Sequence, residues 1–376
     1  MTRLGNARLV LDNEIRPGGV VFAGGLIGEI GEMGRGGDGL DLEGDYLIPG
    51  IIDLHTDNLE RQTQPRANAR WPSRSALVAH DAQCIAAGIT TVFDALCLGD
   101  IGFGKARNQT FEDAVIDIAA LRRQGALRAE HFLHLRCELP AEEMPEMLAR
   151  AIEDTHVRLV SLMDHTPGLS GQYGDLVRYR EMRRAEGLAP AEVETVIAEL
   201  QGNHHAFHAA NRALVIAAAR ARFIPLASHD DATETEIARN AAEGIGITEF
   251  PVSLQAARAA RARGMRSIAG APNLVRGGSH SGNVAVIDLV RENLLDALAS
   301  DYVPGAMLEA AFIAAAEGAI ALPAAIGLIT SGPAAIAGLA DRGRIAPGLR
   351  ADLVQVRLHE GLPVVRAVWR GGVRVG

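Results

Sequence analysis

The sequence predicts an α/β fold: a TIM (β/α)8 barrel with a small β-sandwich domain built from both chain termini. Three features predict it. Apolar, strand-like runs alternate with Ala- and Arg-rich helical stretches through the middle of the chain, as repeated β-then-α pairing in a parallel sheet requires. Eight such units fit between residues 50 and 343, the length of one barrel. Both ends of the chain read instead as short alternating strands separated by glycines.

The elements follow in order. At the start, "ARLVLD" and "GGVVFAGGLIGEIGE" read as strands, and at the end "LVQVRL" and "VVRAVWRGGVRV" alternate with a Gly-Gly turn between two of them. Termini often lie close together, so residues 1–49 plus 344–376 are expected to form the small β domain and 50–343 the barrel. The barrel strands are expected in "YLIPGIIDLH", "GITTVFDAL", "EHFLHLRCEL", "VRLVSLMDH", "FIPLASHDD", "GIGITEF", "RSIAGAPN" and "LLDALASDY". The segment from Gly168 to His208 is longer than one crossover needs and is expected to form a helical lid.

Composition narrows the function classes. The chain is 48% hydrophobic and 22% charged, enough apolar residue for a sizeable core and too little charge for disorder. A net charge of -9 argues against a general nucleic-acid surface, although local arginines can still favour an anionic substrate inside one cleft. Cys84, Cys97 and Cys137 sit in apolar contexts and read as free buried thiols of a reducing compartment. Neither a basic, apolar leader nor a run of about 18 apolar residues is present, so a soluble, cytoplasmic protein with no membrane partner is expected.

Polar residues end several of the apolar runs. "LIPGIIDLHTDNLER" drives an apolar strand into His55 and Asp57, two positions apart and therefore on one face. Glu138, His165, His229 and Asp301 terminate later runs, at the end where a barrel keeps its chemistry. Imidazoles and carboxylates converging on one mouth suit divalent ions. Each has a structural alternative when taken singly: Asp301 as a helix cap, Glu138 as the ion-pair partner of Arg136. Six together favour a metal site.

"NLVRGGSHSGN" is the second informative stretch. Gly277 and Gly278 can free backbone N–H groups for an anion, Ser279 and Ser281 add hydroxyls, Arg276 offers a fork for phosphate oxygens and His280 a further donor. A surface loop with a Gly-Gly turn is the competing account. His80 with Asp81 reads as the opening of a helix, where capping competes with function. His204, His205 and His208 read as surface residues on the lid.

"IPGIIDLHTD" and the late "GRIAPGLRADLVQV" resemble the amidohydrolase superfamily of metal-dependent hydrolases, over essentially the whole chain. "HDAQCIAAGITTVFDAL", "SHDD", "TEFP", "GAPNLVRGGSHSGN" and "SDYVP" are similar to its diphosphatase branch in phosphonate degradation. The resemblance implies two divalent metal ions (Zn, Mn, Fe or Mg), with His55, Asp57, Glu138, His165, His229 and Asp301 as ligands. It implies Glu138 as the bridging carboxylate in place of a carboxylated lysine, and Asp301 as the catalytic proton acceptor. The implied reaction is hydrolysis of α-D-ribose 1-methylphosphonate 5-triphosphate to the 5-phosphate and pyrophosphate. The superfamily's H-x-H pair is His55-x-Asp57 here, and a carboxylate in place of an imidazole hardens the ligand set. Its usual histidine pair ends strands five and six, whereas His165 and His229 end the fourth and fifth runs. An amide or amine hydrolase, of deacetylase or nucleobase deaminase type, is the competing reading, and a homodimer is compatible with either.

Overall fold

The computed structural model describes residues 1–32, 39–66, 69–99, 106–169, 171–279 and 282–376; His280 and Ser281 lie outside them. Five strands open the chain: β1 (Thr2–Val10), β2 (Ile15–Ala23), β3 (Leu26–Gly31), β4 (Leu40–Asp41) and β5 (Tyr46–Pro49). Eight follow, separated by helices: β6 (Ile51–Thr56), β7 (Ile89–Leu98), β8 (Glu130–Glu138), β9 (Val157–Met163), β10 (Leu226–His229), β11 (Ile247–Glu249), β12 (Arg266–Gly270) and β13 (Ala297–Ala299). The last three are β14 (Leu353–His359), β15 (Leu362–Arg370) and β16 (Val373–Arg374).

Strands β6 to β13 pair in sequence order, all parallel. The ring closes through a parallel bridge between Thr56 and Asp301. There Asp57 N–H donates to Asp301 O at 2.8 Å and Asp301 N–H to His55 O at 3.0 Å. The expected count of eight strands holds, and His165 and His229 do follow the fourth and fifth. Phe93, Phe132, Leu159, Ile247 and Ile268 fill the barrel with Ile52 and Leu54, while a larger apolar shell joins the strands to the surrounding helices.

One expected strand is two. "YLIPGIIDLH" divides at Gly50: β5 pairs antiparallel with β14 in the terminal sheet, and β6 pairs parallel with β7 in the barrel. A Cβ at Gly50 would stand 2.3 Å from Thr90 Oγ1 and 2.9 Å from Asp352 Cβ, so the crossing between layers admits only glycine.

The terminal strands form one sheet in the order β16-β15-β14-β5-β1-β2-β3, with β4 also on β1. Its two ends meet. Ile27 N–H donates to Leu349 O, and Gly372 is seated against the Phe22 ring, where a Cβ would lie 3.1 Å away. The sheet thus bends over its own core of Leu4, Leu9, Phe22, Leu47, Leu353 and Trp369. Strand pairing therefore draws the small layer from both chain ends, as expected.

The expected lid is helical and longer than foreseen. After a short 3-10 turn (Gly171–Tyr173), the helix Leu176–Ala185 is capped by Asp175 Oδ1, which accepts from Val177 and Arg178 N–H. The next helix, Pro190–Ala221, runs 32 residues without a break, so lid and crossover to β10 are one rod. No helix among the described residues is long and apolar enough to cross a membrane.

Candidate active site

Strict alternation would put Leu54 and His55 on opposite faces of β6. A register shift between Asp53 and Thr56 breaks it, so Leu54 joins the inner core while His55 still turns into the barrel. His55, Asp57, His165, His229, Asp301, Arg276 and Ser279 then line one cavity of about 280 Å³ at the C-terminal ends of the strands.

Two carboxylates fix the imidazoles from behind. Glu138, at the end of β8, lies 2.7 Å from His165 Nδ1 through Oε2 and accepts from His165 N–H through Oε1 at 3.0 Å. Glu249, at the end of β11, lies 2.7 Å from His55 Nδ1 and 3.0 Å from His229 Nδ1. Burial alone would raise the Glu249 carboxyl; His55, His134 and His229 outweigh it and hold it well below its usual range. With their Nδ1 atoms engaged, these rings turn Nε2 toward the cavity. His229 Nε2 lies 3.8 Å from Asp230 Oδ1, and His165 Nε2 4.0 Å from Asp230 Oδ2.

The donor set fits divalent cations. His55 Nε2 and Asp230 Oδ2 are buried and, among the described residues, have no hydrogen-bond partner, which leaves both atoms open to a ligand. Nδ1 or Nε2 of His165, His229 and a carboxylate oxygen of Asp230 cluster within the spacing of ligands around one ion. Burial raises Asp57 to about 7, with Asp301 and Glu60 adding to it. Burial likewise raises Asp301, to about 6, against the opposing charges of Arg136 and His229. A nearby cation relieves that crowding.

Three arginines reach the same cavity: Arg107, Arg136 and Arg276. Arg136 projects from β8, almost fully buried; its Nε donates to Met163 Sδ at 3.3 Å, while Nη1 lies 3.7 Å from Asp57 Oδ2 and has no hydrogen-bond partner among the described residues. Arg107 is braced by Glu60 at 3.1 Å, and Arg276 is exposed at the rim.

Several expectations are revised. The N–H groups of Gly277 and Gly278 do not face an anion: they donate to Leu274 O and Asn273 O, ending the helix Ala271–Val275. Their positive φ angles serve that turn, which carries Arg276 and Ser279 to the cavity. Glu138, expected as a bridging ligand, has both oxygens committed to His165, and Glu249 is the carboxylate that spans two imidazoles. His80 and Asp81 cap nothing; they sit inside the helix Ser73–Ala86, buried in a network with Asp94 and His131. The sequence reading missed Glu249, Asp230 and Arg136. All three lay within quoted strand ends, and inward alternation from Phe132 would have pointed Arg136 at the mouth. Cys84, Cys97 and Cys137 are buried and free, as expected.

Residues 46–375 match the amidohydrolase family. The chain is 42% identical, over 99% of both sequences, to the α-D-ribose 1-methylphosphonate 5-triphosphate diphosphatase of Escherichia coli (strain K12). Among solved structures, 5-methylcytosine deaminase from Klebsiella pneumoniae with bound 5-fluorocytosine superposes with a TM-score of 0.65 at 14% identity, covering 100% of this chain and 97% of that one. N-acetylglucosamine-6-phosphate deacetylase from Pasteurella multocida gives 0.64 at 14%, covering 100% and 99%. The last two show a shared fold. With the barrel, its metal-suited mouth and a match along nearly its whole length, the chain belongs to the amidohydrolase family.

Proposed function

We propose that this chain is a metal-dependent diphosphatase that hydrolyses α-D-ribose 1-methylphosphonate 5-triphosphate to the 5-phosphate and pyrophosphate in phosphonate catabolism. The observation that carries the reading is the end-to-end 42% identity to a diphosphatase of that activity. The three arginines at a cavity of imidazoles and carboxylates support it independently, because an uncharged amide has no use for them.

His55, Asp57, His165, His229, Asp230 and Asp301 would hold the divalent cations. When bound, these supply Lewis acidity, lowering the pKa of water and offsetting phosphate charge. Glu249 and Glu138 keep His55, His229 and His165 in the tautomer and orientation that leave Nε2 free. Asp301 faces the cavity and takes the proton of the attacking water on its carboxylate. Arg107, Arg136 and Arg276 neutralise charge on the triphosphate and on the departing pyrophosphate. Gln172 and Tyr173 bring the start of the lid to the same cavity and exclude bulk water there.

The test is pyrophosphate release from this triphosphate by the purified, manganese-supplemented protein, beside N-acetylated sugars and cyclic amides. Pyrophosphate without amide cleavage is expected. Amide or amine cleavage without pyrophosphate overturns the reading in favour of the deaminase- or deacetylase-type chemistry.

A further inference from the structure

Behind the active site, under the lid, lies a second cavity of about 340 Å³. Asp164, the residue after β9, faces it together with His204 and His208. The two histidines are four residues apart on the helix Pro190–Ala221, which puts them one turn apart on one face. Their rings stack with centroids 4.4 Å apart. Read from sequence as surface residues, they are instead mostly buried, with side-chain exposures of 23% and 13%.

The geometry around Asp164 is unusual for a simple ion pair. His204 Nδ1 lies 2.9 Å from Asp164 Oδ2, yet it is buried and has no aligned hydrogen-bond partner among the described residues. His208 Nε2 reaches the same oxygen at 3.6 Å. One ligand atom from each residue lies within 4.8 Å of the others. Asp164 Oδ1 accepts from Thr166 N–H at 3.1 Å, which fixes the carboxylate and leaves Oδ2 facing the imidazoles. Two nitrogens and one oxygen converging on a common point, with the neighbouring space open to water, make a three-residue site with a free fourth position.

We propose that Asp164, His204 and His208 form a separate site for a borderline divalent transition ion of the zinc class. Imidazole-rich sites prefer such ions to magnesium or calcium. Occupation fastens the long lid helix to the end of β9, one residue before His165. The site is a clasp for the lid and takes no part in the chemistry. It stands on residues outside the active-site set, so it does not depend on the substrate proposed above. Arg212 and Arg239 border the same cavity, but Arg212 is committed to Glu243 and Asn240.

The experiment uses the full chain, stripped by chelator and equilibrated by dialysis against zinc, with bound metal counted per chain. The wild type is expected to hold one zinc more than H204A/H208A, and the single variant His208→Gln to lose the same equivalent. Both variants are expected to retain manganese-supported pyrophosphate release, showing that they fold. Zinc is expected to raise the Tm of the wild type further than that of either variant. Equal zinc content in wild type and folded variants overturns the proposal, as does an equal Tm response.

Discussion

Asp301 does two things with two parts of itself. Its backbone closes the barrel against His55 and Asp57, and its side chain faces the cavity. It holds a left-handed φ of 57°, a conformation that Asp and Asn tolerate better than other residues with a side chain. Asp301→Asn should therefore keep the fold and remove the proposed base, lowering kcat by roughly 10²–10⁴-fold with little change in Tm. Asp301→Ala should lose the same activity and about 1 kcal/mol of stability besides, read by urea denaturation. Arg276→Ala deletes one charge-assisted contact at the rim and should cost roughly 10–100-fold in kcat/KM, with Tm unchanged. Strand-end histidines and aspartates were legible because a polar residue after an apolar run has few structural reasons to be there. Glu249 and Asp230 were not singled out: β11 is three residues long, too short to show an alternation, and Asp230 lies just past β10 at a left-handed φ of 56°, which alternation does not foretell. The glycine pair misled for a local reason, since a helix end and an anion cradle demand the same positive φ.

At the scale of elements, a buried charge network ties the helix Ser73–Ala86 to β7 and β8. His80 Nε2 lies 2.8 Å from Asp94, His131 Nδ1 lies 2.8 Å from the other Asp94 oxygen, and Asp81 accepts from Ala129 and Arg128 N–H. Burial alone would lower His131; Asp94 and Asp81 outweigh it and raise the imidazole to about 9. Its folded pKa therefore exceeds the unfolded value of about 6.5. The stability it contributes is fully present below about 6.5 and is lost as pH rises through about 9. Asp81 and Asp94 are held below their usual range by the same contacts, against burial, so their contribution is present above about 4 and fades as pH falls. Urea midpoints measured across pH should decline above neutrality in the wild type. Asp94→Asn leaves His131 without its main counter-charge and should cost about 3–5 kcal/mol, flattening that decline. None of this was legible in sequence, because the partners are separated by a helix and two strands. The split of "YLIPGIIDLH" was hidden too: the run is uniformly apolar, and Gly50 gives a bend without saying which layers it joins.

Across the whole molecule, Glu130 at the base of β8 joins the barrel to the chain's return toward the terminal sheet, taking Arg342 at 2.7 Å and Arg350 at 2.5 Å. The two guanidiniums outweigh its burial and hold its carboxyl at about 2. The βα rhythm made the barrel legible because each unit repeats the same physical pattern, and the β termini stood out by breaking it. The metal-suited mouth was legible for the same reason, since strand ends in a barrel share one rim. Removing the divalent ions should abolish turnover and lower Tm, because ions bound only by the folded chain stabilise it by about 2.7 kcal/mol at a hundred times Kd. Re-addition of manganese should restore both. The central claim is that this amidohydrolase barrel cleaves a phosphoric anhydride, and one assay tests it most directly: pyrophosphate released per chain from α-D-ribose 1-methylphosphonate 5-triphosphate, with and without divalent metal, in the wild type and in Asp301→Asn. Metal-dependent release is expected in the wild type and almost none in the variant. Release that ignores both metal and Asp301, or its absence in a folded, metal-loaded wild type, would contradict it.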